Sequence, residues 1–363
     1  MRRTLVGLDI GSSGIRAAEL SIGRRAAVLR RFASAPLPPG TVRSGKVAEP
    51  DVLTQAIKAL WSDARIRSRE VVIGVANDSV LVRQMDLEWM PPADFRKALR
   101  YQVSESLPVP VDEANLDYYF LEELAPQSSS EDQQRLARVM LVAAGREMVD
   151  GFVVPVQAAG LRVVRADLTP FALVRAASRV GADEPEVVVD IGAETVAVVV
   201  HAGGRPRFVR MISGLGGETI TRALQQRYGW EREDAERTKV VLGMTAPPPE
   251  GSDGQDEYDE VPREHPARAV IVEQAEALVA EIAATLAFYR GSLDAQEPLA
   301  RIVLAGNGSR IHGLADLVAD QLGAPVEMLS VLDRVRTARR SVLDPSQLTD
   351  VGVPAALCLG EAS

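Results

Sequence analysis

Two aspartates close apolar runs of strand length, and each is followed by Ile-Gly and a second apolar run. Asp9 begins the segment Asp-Ile-Gly-Ser-Ser-Gly, and Asp190 begins Asp-Ile-Gly-Ala-Glu. The glycine of each turn permits a close backbone approach, so the turn can bind a phosphate while the carboxylate faces a hydrated cation. We expect both aspartates to hold Mg²⁺ through water, because this ion gives up its hydration shell reluctantly. One such turn would be an ordinary β-turn, but two in one chain predict a duplicated clamp for a nucleotide.

The first turn carries further groups that suit a phosphate. Backbone N–H and hydroxyl donors are offered by Gly11, Ser12, Ser13 and Gly14. Arg16 lies two residues beyond Gly14 and therefore on the same face of the following strand. We expect the Arg16 guanidinium to reach the phosphates; the alternative is a solvated surface arginine.

Later segments are expected to complete the site around a nucleoside. Gly216 and Gly217 precede a predicted helix whose N-terminal amides suit a ribose or phosphate oxygen. Glu236 and Lys239 lie one turn apart on the next predicted helix and either bracket the adenosine or form a solvated ion pair. The second turn offers two further candidates, Gly192 and Thr195. A late glycine-rich turn, which can lie against an adenine, offers Gly306, Gly308 and Ser309.

The bulk composition excludes several classes of function. The net charge of −9 over 363 residues, without a basic run, argues against a general nucleic-acid binder. The single cysteine, Cys358, excludes an internal disulfide and fits a reducing compartment. Neither a signal peptide nor a transmembrane run of about 18 apolar residues is present, so we expect a cytoplasmic protein.

The hydropathy pattern predicts two lobes with a small domain inserted into the first. The first lobe is assigned residues 1–80 and 160–185, and the second lobe residues 186–359. Residues 81–159 have a β-α-β-β-α-β rhythm and are expected to form an inserted, partner-binding α+β subdomain. A disordered acidic loop is predicted for residues 245–266, which are rich in Pro, Gly, Asp and Glu.

Apolar periodicity predicts the elements that must position these turns. The principal predicted helices are residues 51–66, 217–228, 231–242 and 267–293. Predicted strands that flank the turns include residues 26–35 and 301–305.

The order of the motifs along the chain resembles that of the actin-like ATPase superfamily. The motifs are, in order, Asp9-Ile-Gly-Ser-Ser-Gly, Asp190-Ile-Gly, Gly214-Leu-Gly-Gly-Glu, Glu236-Arg-Thr-Lys and Ala305-Gly-Asn-Gly-Ser. The resemblance implies an α/β actin-like fold of duplicated ribonuclease-H-like halves with an inserted small α+β subdomain. It also implies that the two Asp hairpins are phosphate loops and that the cofactors are ATP and Mg²⁺.

Within that superfamily the chain is similar to the PilM family of type IV pilus assembly proteins. The similar segments are residues 6–13, 77–87, 100–118, 302–314 and 350–357. The resemblance implies an ATP-binding adaptor that binds the N-terminal cytoplasmic tail of a PilN-like inner-membrane protein, in a groove beside the inserted subdomain. Such a protein reaches the inner membrane only through that partner and links it to pilus motor ATPases.

The second turn departs from the superfamily pattern. Val196 stands six residues after its aspartate, where a threonine is usual, and Glu194 replaces a small residue beside the expected triphosphate. Thr195 is shifted by one residue, so we expect its side chain to point to the opposite face of the strand. No Gln in residues 167–177 is placed to orient a water, so we expect slow ATP hydrolysis at most and assign no catalytic residue.

Two alternative functions share the same fold. One is an FtsA-like, membrane-associated filament protein, which would use an amphipathic helix to touch the membrane. The other is a small-molecule kinase, which would need a carboxylate poised over a hydroxyl substrate.

Overall fold

Two β-sheets, each containing one of the Asp-Ile-Gly hairpins, form the centre of the structure. The computed structural model describes residues 3–23, 26–124, 135–179, 181–245, 265–291, 297–338, 343–344 and 347–360. The predicted acidic loop, residues 245–266, lies almost wholly outside the described residues.

The strands account for both sheets and for a smaller one. In chain order they are β1 (Arg3–Gly11), β2 (Gly14–Ile22), β3 (Ala27–Pro36), β4 (Val42–Arg43), β5 (Lys46–Val47), β6 (Glu70–Val75), β7 (Leu81–Glu88), β8 (Ala114–Leu124), β9 (Leu136–Gly145), β10 (Arg162–Leu168), β11 (Pro185–Ile191), β12 (Thr195–Ala202), β13 (Arg205–Ser213), β14 (Arg301–Ala305), β15 (Val326–Met328) and β16 (Val335–Thr337).

The helices cover the faces of these sheets. In chain order they are α1 (Pro50–Asp63), α2 (Pro92–Val103), α3 (Arg146–Ala158), α4 (Thr169–Ala177), α5 (Gly217–Tyr228), α6 (Arg232–Leu242), α7 (Ala267–Gly291), α8 (Leu314–Leu322), α9 (Gln347–Asp350) and α10 (Gly352–Cys358). Within the described ranges, no helix is both long enough and apolar enough to cross a membrane.

The two sheets repeat one arrangement. The first has the strand order β10-β6-β1-β2-β3-β16, and the second has the order β13-β12-β11-β14-β15. In each sheet the strand that carries the aspartate pairs antiparallel with the strand after the turn and parallel with a strand on its other side. Both sheets are buried by apolar side chains, which explains why the aspartate strands read as continuous apolar runs.

The inserted subdomain is a three-stranded sheet covered on one face by a helix. Its strand order is β7-β9-β8, and Phe95, Leu99 and Val103 of α2 pack against Leu141 and Val139 of β9. The helix α3 instead packs on α1, and β10 joins the first sheet beside β6. We therefore propose that the insertion comprises residues 81–145, shorter than the predicted 81–159.

The end of the chain returns to the first lobe. The strand β16 pairs with β3, and the buried helix α10 lies against β1. At Gly7 in β1 a Cβ atom would lie 1.7 Å from the carbonyl oxygen of Pro354, so only glycine allows this contact. We therefore propose that these two elements belong to the first lobe, although the sequence assigns residues 186–359 to the second.

Several predicted elements are confirmed. Helix 217–228 and strand 301–305 have the predicted bounds, and helix 231–242 begins one residue later. The first predicted helix ends at Asp63 instead of residue 66, because Arg65 adopts a left-handed conformation with φ of 53°. That conformation cannot continue a helix.

A buried ionic cluster connects the strands of the second sheet at the ends farthest from its Asp-Ile-Gly turn. The Arg301 guanidinium donates to both carboxylate oxygens of Glu186, at 2.9 and 3.0 Å. His201 Nε2 lies 3.6 Å from Glu186 Oε2, and the His201 side chain is 1% exposed. Burial lowers the pKa of His201 to about 4, although Glu186 opposes the shift.

We expect His201 to make the protein less stable as the pH falls below 6.5. Its folded-state pKa is depressed, so between pH 6.5 and 4 the unfolded chain takes up a proton that the folded chain refuses. Between pH 7.5 and 5.0 this difference lowers the free energy of unfolding by about 2 kcal/mol. Urea unfolding of His201→Gln at both pH values should show the loss reduced by that amount. His265→Gln, the control, should retain the wild-type loss; equal losses in all three proteins would contradict this role.

Candidate functional site

The two Asp-Ile-Gly turns face each other across a cleft between the sheets. The cleft is lined from the first hairpin by Asp9, Gly11, Ser12, Ser13 and Arg16, and from the second by Asp190, Gly192, Glu194 and Thr195. The structure therefore brings together the predicted residues of both turns, at the ends of β1 and β11.

A larger cavity of about 450 Å³ adjoins this cleft. Both spaces are lined by Ser13, Arg16, Ala193, Asn307 and Asp350, so they form one continuous site. The larger cavity also contains four of the predicted residues, Gly14, Glu236, Lys239 and Gly308. Its volume falls within the roughly 300–1,000 Å³ usual for sites that take a small organic ligand.

Arg16 lies inside the cleft between two carboxylates. Its Nε is 3.0 Å from Asp350 Oδ1, its Nη1 is 3.5 Å from Asp9 Oδ2, and its Nη2 is 3.4 Å from Ser13 Oγ. Its side chain is 15% exposed. The alternative of a solvated surface arginine is therefore wrong, and the guanidinium places a fixed positive charge beside the first turn.

The two aspartates form a desolvated acidic pair. Burial and the Asp9 carboxylate raise the pKa of Asp190 to about 7, although Arg16 opposes the shift. Burial also raises the pKa of Asp9, and Arg16 limits that rise. Such a pair favours a cation. Among the described residues no three His, Cys, Asp or Glu side chains converge on one point, and a set of two carboxylates fits an ion that keeps several waters.

The start of α5 holds the second turn in place. The N–H groups of Gly217 and Glu218 donate to the carbonyl oxygens of Gly192 and Ala193, at 3.0 and 2.8 Å. At Gly216, where φ is 146°, a Cβ atom would lie 2.5 Å from the Gly192 carbonyl oxygen. The prediction that these helix amides face a ribose or phosphate oxygen is therefore wrong for the first two, because they already bind the turn.

The late glycine-rich turn packs on the other side of the same loop. A Cβ atom on Gly306, where φ is 77°, would lie 2.4 Å from the Ile191 carbonyl oxygen, and one on Gly308 would lie 2.5 Å from Ile191 Cγ2. The Ser309 hydroxyl donates to the Gly306 carbonyl oxygen at 2.6 Å. Close backbone packing is thus a sufficient reason for these two glycines, and Ser309 closes their turn.

Lys239 is a buried connection between α5 and α6. Its Nζ donates to the Gly217 carbonyl oxygen at 3.1 Å, to Thr221 Oγ1 at 3.0 Å and to Glu236 Oε2 at 2.7 Å. The predicted alternative of a solvated ion pair is wrong, since Lys239 is only 6% exposed. Burial opposes ionisation of Glu236, but Lys239 and the Thr221 hydroxyl hold its pKa below the usual value. The site therefore has an ionised carboxylate in the larger cavity.

Thr195 and Val196 face opposite sides of β12, but the threonine is the residue at the cleft. Thr195 lines the cleft, whereas Val196 is fully buried in the core of the second lobe. Thr195 therefore points to the face opposite Val196, as expected, but that face is the one toward the cleft. Val196, at the usual threonine position, has no polar role because it fills the core.

The sequence analysis missed two polar residues of the site. Asp350, at the end of α9, accepts a hydrogen bond from Arg16 and another from the Asn307 amide. Asp350 directly precedes the apolar run that forms α10, but its place in the cleft follows only from the packing of that helix on β1. Asn307 lies within the late glycine-rich turn, where only Gly306, Gly308 and Ser309 are predicted from the sequence as site residues.

Comparison with known proteins agrees with this architecture. A family model described as type IV pilus assembly protein PilM matches residues 7–360. A chain of the solved PilM-PilN type IV pilus biogenesis complex is 31% identical, with a TM-score of 0.76 and coverage of 99% of this chain and 97% of that chain.

More distant similarities concern parts of the chain or the fold. The cell division protein FtsA of Rhizobium meliloti (strain 1021) is 32% identical over 152 residues, which is 37% of this chain and only 32% of that relative. The structure of MreB5 of Spiroplasma citri bound to AMPPNP has a TM-score of 0.51 at 11% identity and covers 92% of both chains. The predicted actin-like fold is confirmed by these structural matches.

We expect Asp190→Asn to stabilise the protein at pH 8 in magnesium-free buffer. Asp190 has a raised folded-state pKa, so its contribution to stability is present below pH 4 and is lost as the pH rises through 7. Asparagine cannot ionise, which should raise the free energy of unfolding at pH 8 by an amount on the order of 2–4 kcal/mol.

The measurement is urea unfolding at pH 5 and pH 8, with the exposed Asp183→Asn as the control. The wild type and the control should have the same dependence on pH, and the gain in stability of Asp190→Asn over both should be larger at pH 8 than at pH 5. If all three have the same dependence on pH, the proposed desolvation of Asp190 is refuted.

Proposed function

The chain belongs to the family of type IV pilus assembly proteins PilM, and on this premise we propose that it is an adaptor that binds a nucleotide and a PilN-like membrane protein. The observation that carries the nucleotide-binding part is the pair of facing turns, with Asp9 and Asp190 on either side of a cleft that also holds Arg16. The fold shared with nucleotide-bound MreB5 supports the same site.

The proposed ligand is Mg-ATP, and residues of both turns would hold it. Gly11, Ser12 and Ser13 would donate to phosphate oxygens, and Thr195 would do so from the other side of the cleft. Arg16 would balance phosphate charge, which no neutral donor could do. Asp9 and Asp190 would hold Mg²⁺ through its waters, and the bound ion would neutralise charge on the phosphates.

The nucleoside would occupy the larger cavity. The Glu236 carboxylate lines that cavity and suits the hydroxyl groups of a ribose. Gly192, Gly216, Gly217, Lys239, Gly306, Gly308 and Ser309 would act mainly by fixing the second turn and the helices around it. We therefore propose that these seven residues position the site, and that the donors of the first turn contact the ligand.

Binding without rapid turnover is the proposed activity. Asp167 is the acidic side chain nearest in sequence to the cleft residue Thr169, but it is already paired with Arg175 and Arg165. A carboxylate held by two guanidinium groups is a poor base for an attacking water. This arrangement supports slow hydrolysis at most.

The proposed partner is the N-terminal cytoplasmic tail of a PilN-like protein, because the similar solved structure is a PilM-PilN complex. The face of the inserted sheet opposite α2 supports this docking. At one end Val82 and Val142 pack near Phe171 of the first lobe, and at the other end a groove of about 1050 Å³ separates the sheet from β13 and α7. A tail held there would bring this chain to the inner membrane, where contact with pilus motor ATPases becomes possible.

We expect the melting temperature to rise with the concentration of Mg-ATP. Binding to the folded state alone stabilises it by about 2.7 kcal/mol at a ligand concentration 100 times the Kd. In Asp9→Ala the shift with Mg-ATP should fall to the shift that ATP gives with EDTA, because half of the cation site is lost. Asp183→Ala should behave as the wild type. Absence of both a thermal shift and a calorimetric signal at millimolar Mg-ATP would refute nucleotide binding.

We expect a synthetic peptide from a PilN-like cytoplasmic tail to bind the wild-type protein, measured by fluorescence anisotropy. Leu121→Asp places a charge in the groove and should weaken binding at least tenfold, because the carboxylate must be desolvated. Tyr101→Asp, on the outer face of α2 where the side chain is 84% exposed, is the matched control and should bind normally. Undiminished binding by Leu121→Asp would relocate the site, and no binding by the wild type, with or without nucleotide, would refute the adaptor function.

A further inference from the structure

We propose that Glu194 relays the state of the second phosphate loop to the inserted subdomain, through the backbone of Ser44 and the side chain of Asn77. The inference rests on the proposed function, since it couples the nucleotide cleft to the proposed partner-binding element. It explains the glutamate that departs from the superfamily pattern at this turn.

The first link crosses the cleft. Glu194 follows the turn residues whose carbonyls accept from α5, and the Glu194 carbonyl oxygen accepts the Gly214 N–H at 2.8 Å. Its carboxylate Oε2 accepts the backbone N–H of Ser44 at 2.8 Å, and Oε1 accepts from Arg222. A side chain of the second lobe therefore binds the backbone of the first.

The second link is the tip of the β4–β5 hairpin. Ser44 has a positive φ of 47°, an uncommon conformation for a residue other than glycine. Its carbonyl oxygen accepts from Asn77 Nδ2 at 2.8 Å and from Ser213 Oγ at 3.4 Å. At the adjacent Gly45 a Cβ atom would lie 2.4 Å from the Ala76 carbonyl oxygen. The tip of the hairpin is thus packed directly on the end of β6, so a shift of the tip must be accompanied by a shift of that end of β6.

The third link starts the inserted subdomain. Asn77 is fully buried, and its Oδ1 accepts the Ser79 N–H at 2.8 Å. Its carbonyl oxygen accepts the Val80 N–H at 3.1 Å, and β7 begins at the next residue, Leu81. Two side chains, those of Glu194 and Asn77, and the backbone of Ser44 therefore connect the phosphate loop to the first strand of the inserted sheet.

A polyphosphate in the cleft should reinforce this relay. A ligand held by the turn reduces the local opening of that turn. A negative ligand also repels the Glu194 carboxylate, which favours its present position against Ser44 and Arg222. Nucleotide binding should consequently lower the opening rate of the hydrogen bonds at Ser44, Ser79 and Val80. By linkage, if nucleotide tightens the binding of a partner at the start of β7 by some factor, that partner tightens nucleotide binding by the same factor.

The test is amide hydrogen exchange of the full chain with and without Mg-ATP. In the wild type, Mg-ATP should slow exchange at Ser44, Ser79 and Val80 at least fivefold. Glu194→Ala should bind Mg-ATP as tightly as the wild type or more tightly, judged by thermal shift, yet lose the slowing at all three amides. Glu194→Gln keeps an oxygen acceptor for the Ser44 N–H and should retain most of the slowing of exchange at the three amides. Glu281→Ala removes a carboxylate of the same lobe that pairs with Arg210 on the surface, and should respond as the wild type does.

The outcomes separate this relay from the function on which it rests. If the wild type shows no thermal shift with Mg-ATP, nucleotide binding and the relay are both refuted. If the wild type binds Mg-ATP but its three amides do not respond, the relay alone is refuted. The same holds if Glu194→Ala responds as fully as the wild type.

Discussion

The site depends on the narrow space in which the second Asp-Ile-Gly turn is packed. The backbone of residues 190–193 lies between the start of α5 and the turn after β14. A Cβ atom on Gly216 or Gly306 would lie 2.5 or 2.4 Å from its carbonyl oxygens, and one on Gly308 would lie 2.5 Å from Ile191 Cγ2. Real Cβ contacts are never this short, so three glycines are required for the loop to exist at all. In this position the carbonyl oxygens of the turn accept hydrogen bonds from the first N–H groups of α5. The side chains of the turn can then face only the cleft or the core.

The charges of the cleft are arranged around that fixed backbone. Burial disfavours the ionised form of both aspartates, and the Asp9 carboxylate further disfavours that of Asp190; Arg16 opposes these shifts while it also pairs with Asp350. The protein thus retains an unfavourable acidic pair that an ion and a polyphosphate would together satisfy. Electrostatic repulsion of this kind is characteristic of functional sites, where the bound ligand stabilises the ionised groups.

The sequence predicts the local elements well because they follow from short-range chemistry. The two hairpins, α5 and β14 are specified by apolar periodicity and by glycines at turns, and the actin-like fold follows from their order. The roles of single residues were less predictable. A glycine that admits a ligand and a glycine that admits another backbone segment look alike in sequence, so the close packing of Gly216 and Gly306 on residues 190–193 could not be predicted. Asp350, Ser44 and Asn77 could not be placed, because long-range packing alone brings them to the cleft and to Glu194.

The docking of α10 on β1 has a consequence for the synthesis of the protein. Gly7 and Pro354 are in contact although almost the whole chain separates them, and the core of the first lobe includes Ala355 and Leu357. Contacts of such long sequence separation form late, since their loop closure must be paid before any burial is gained. The first lobe therefore cannot complete its core on the ribosome while the second lobe is being made. Its open sheet face stays exposed until α10 has left the exit tunnel.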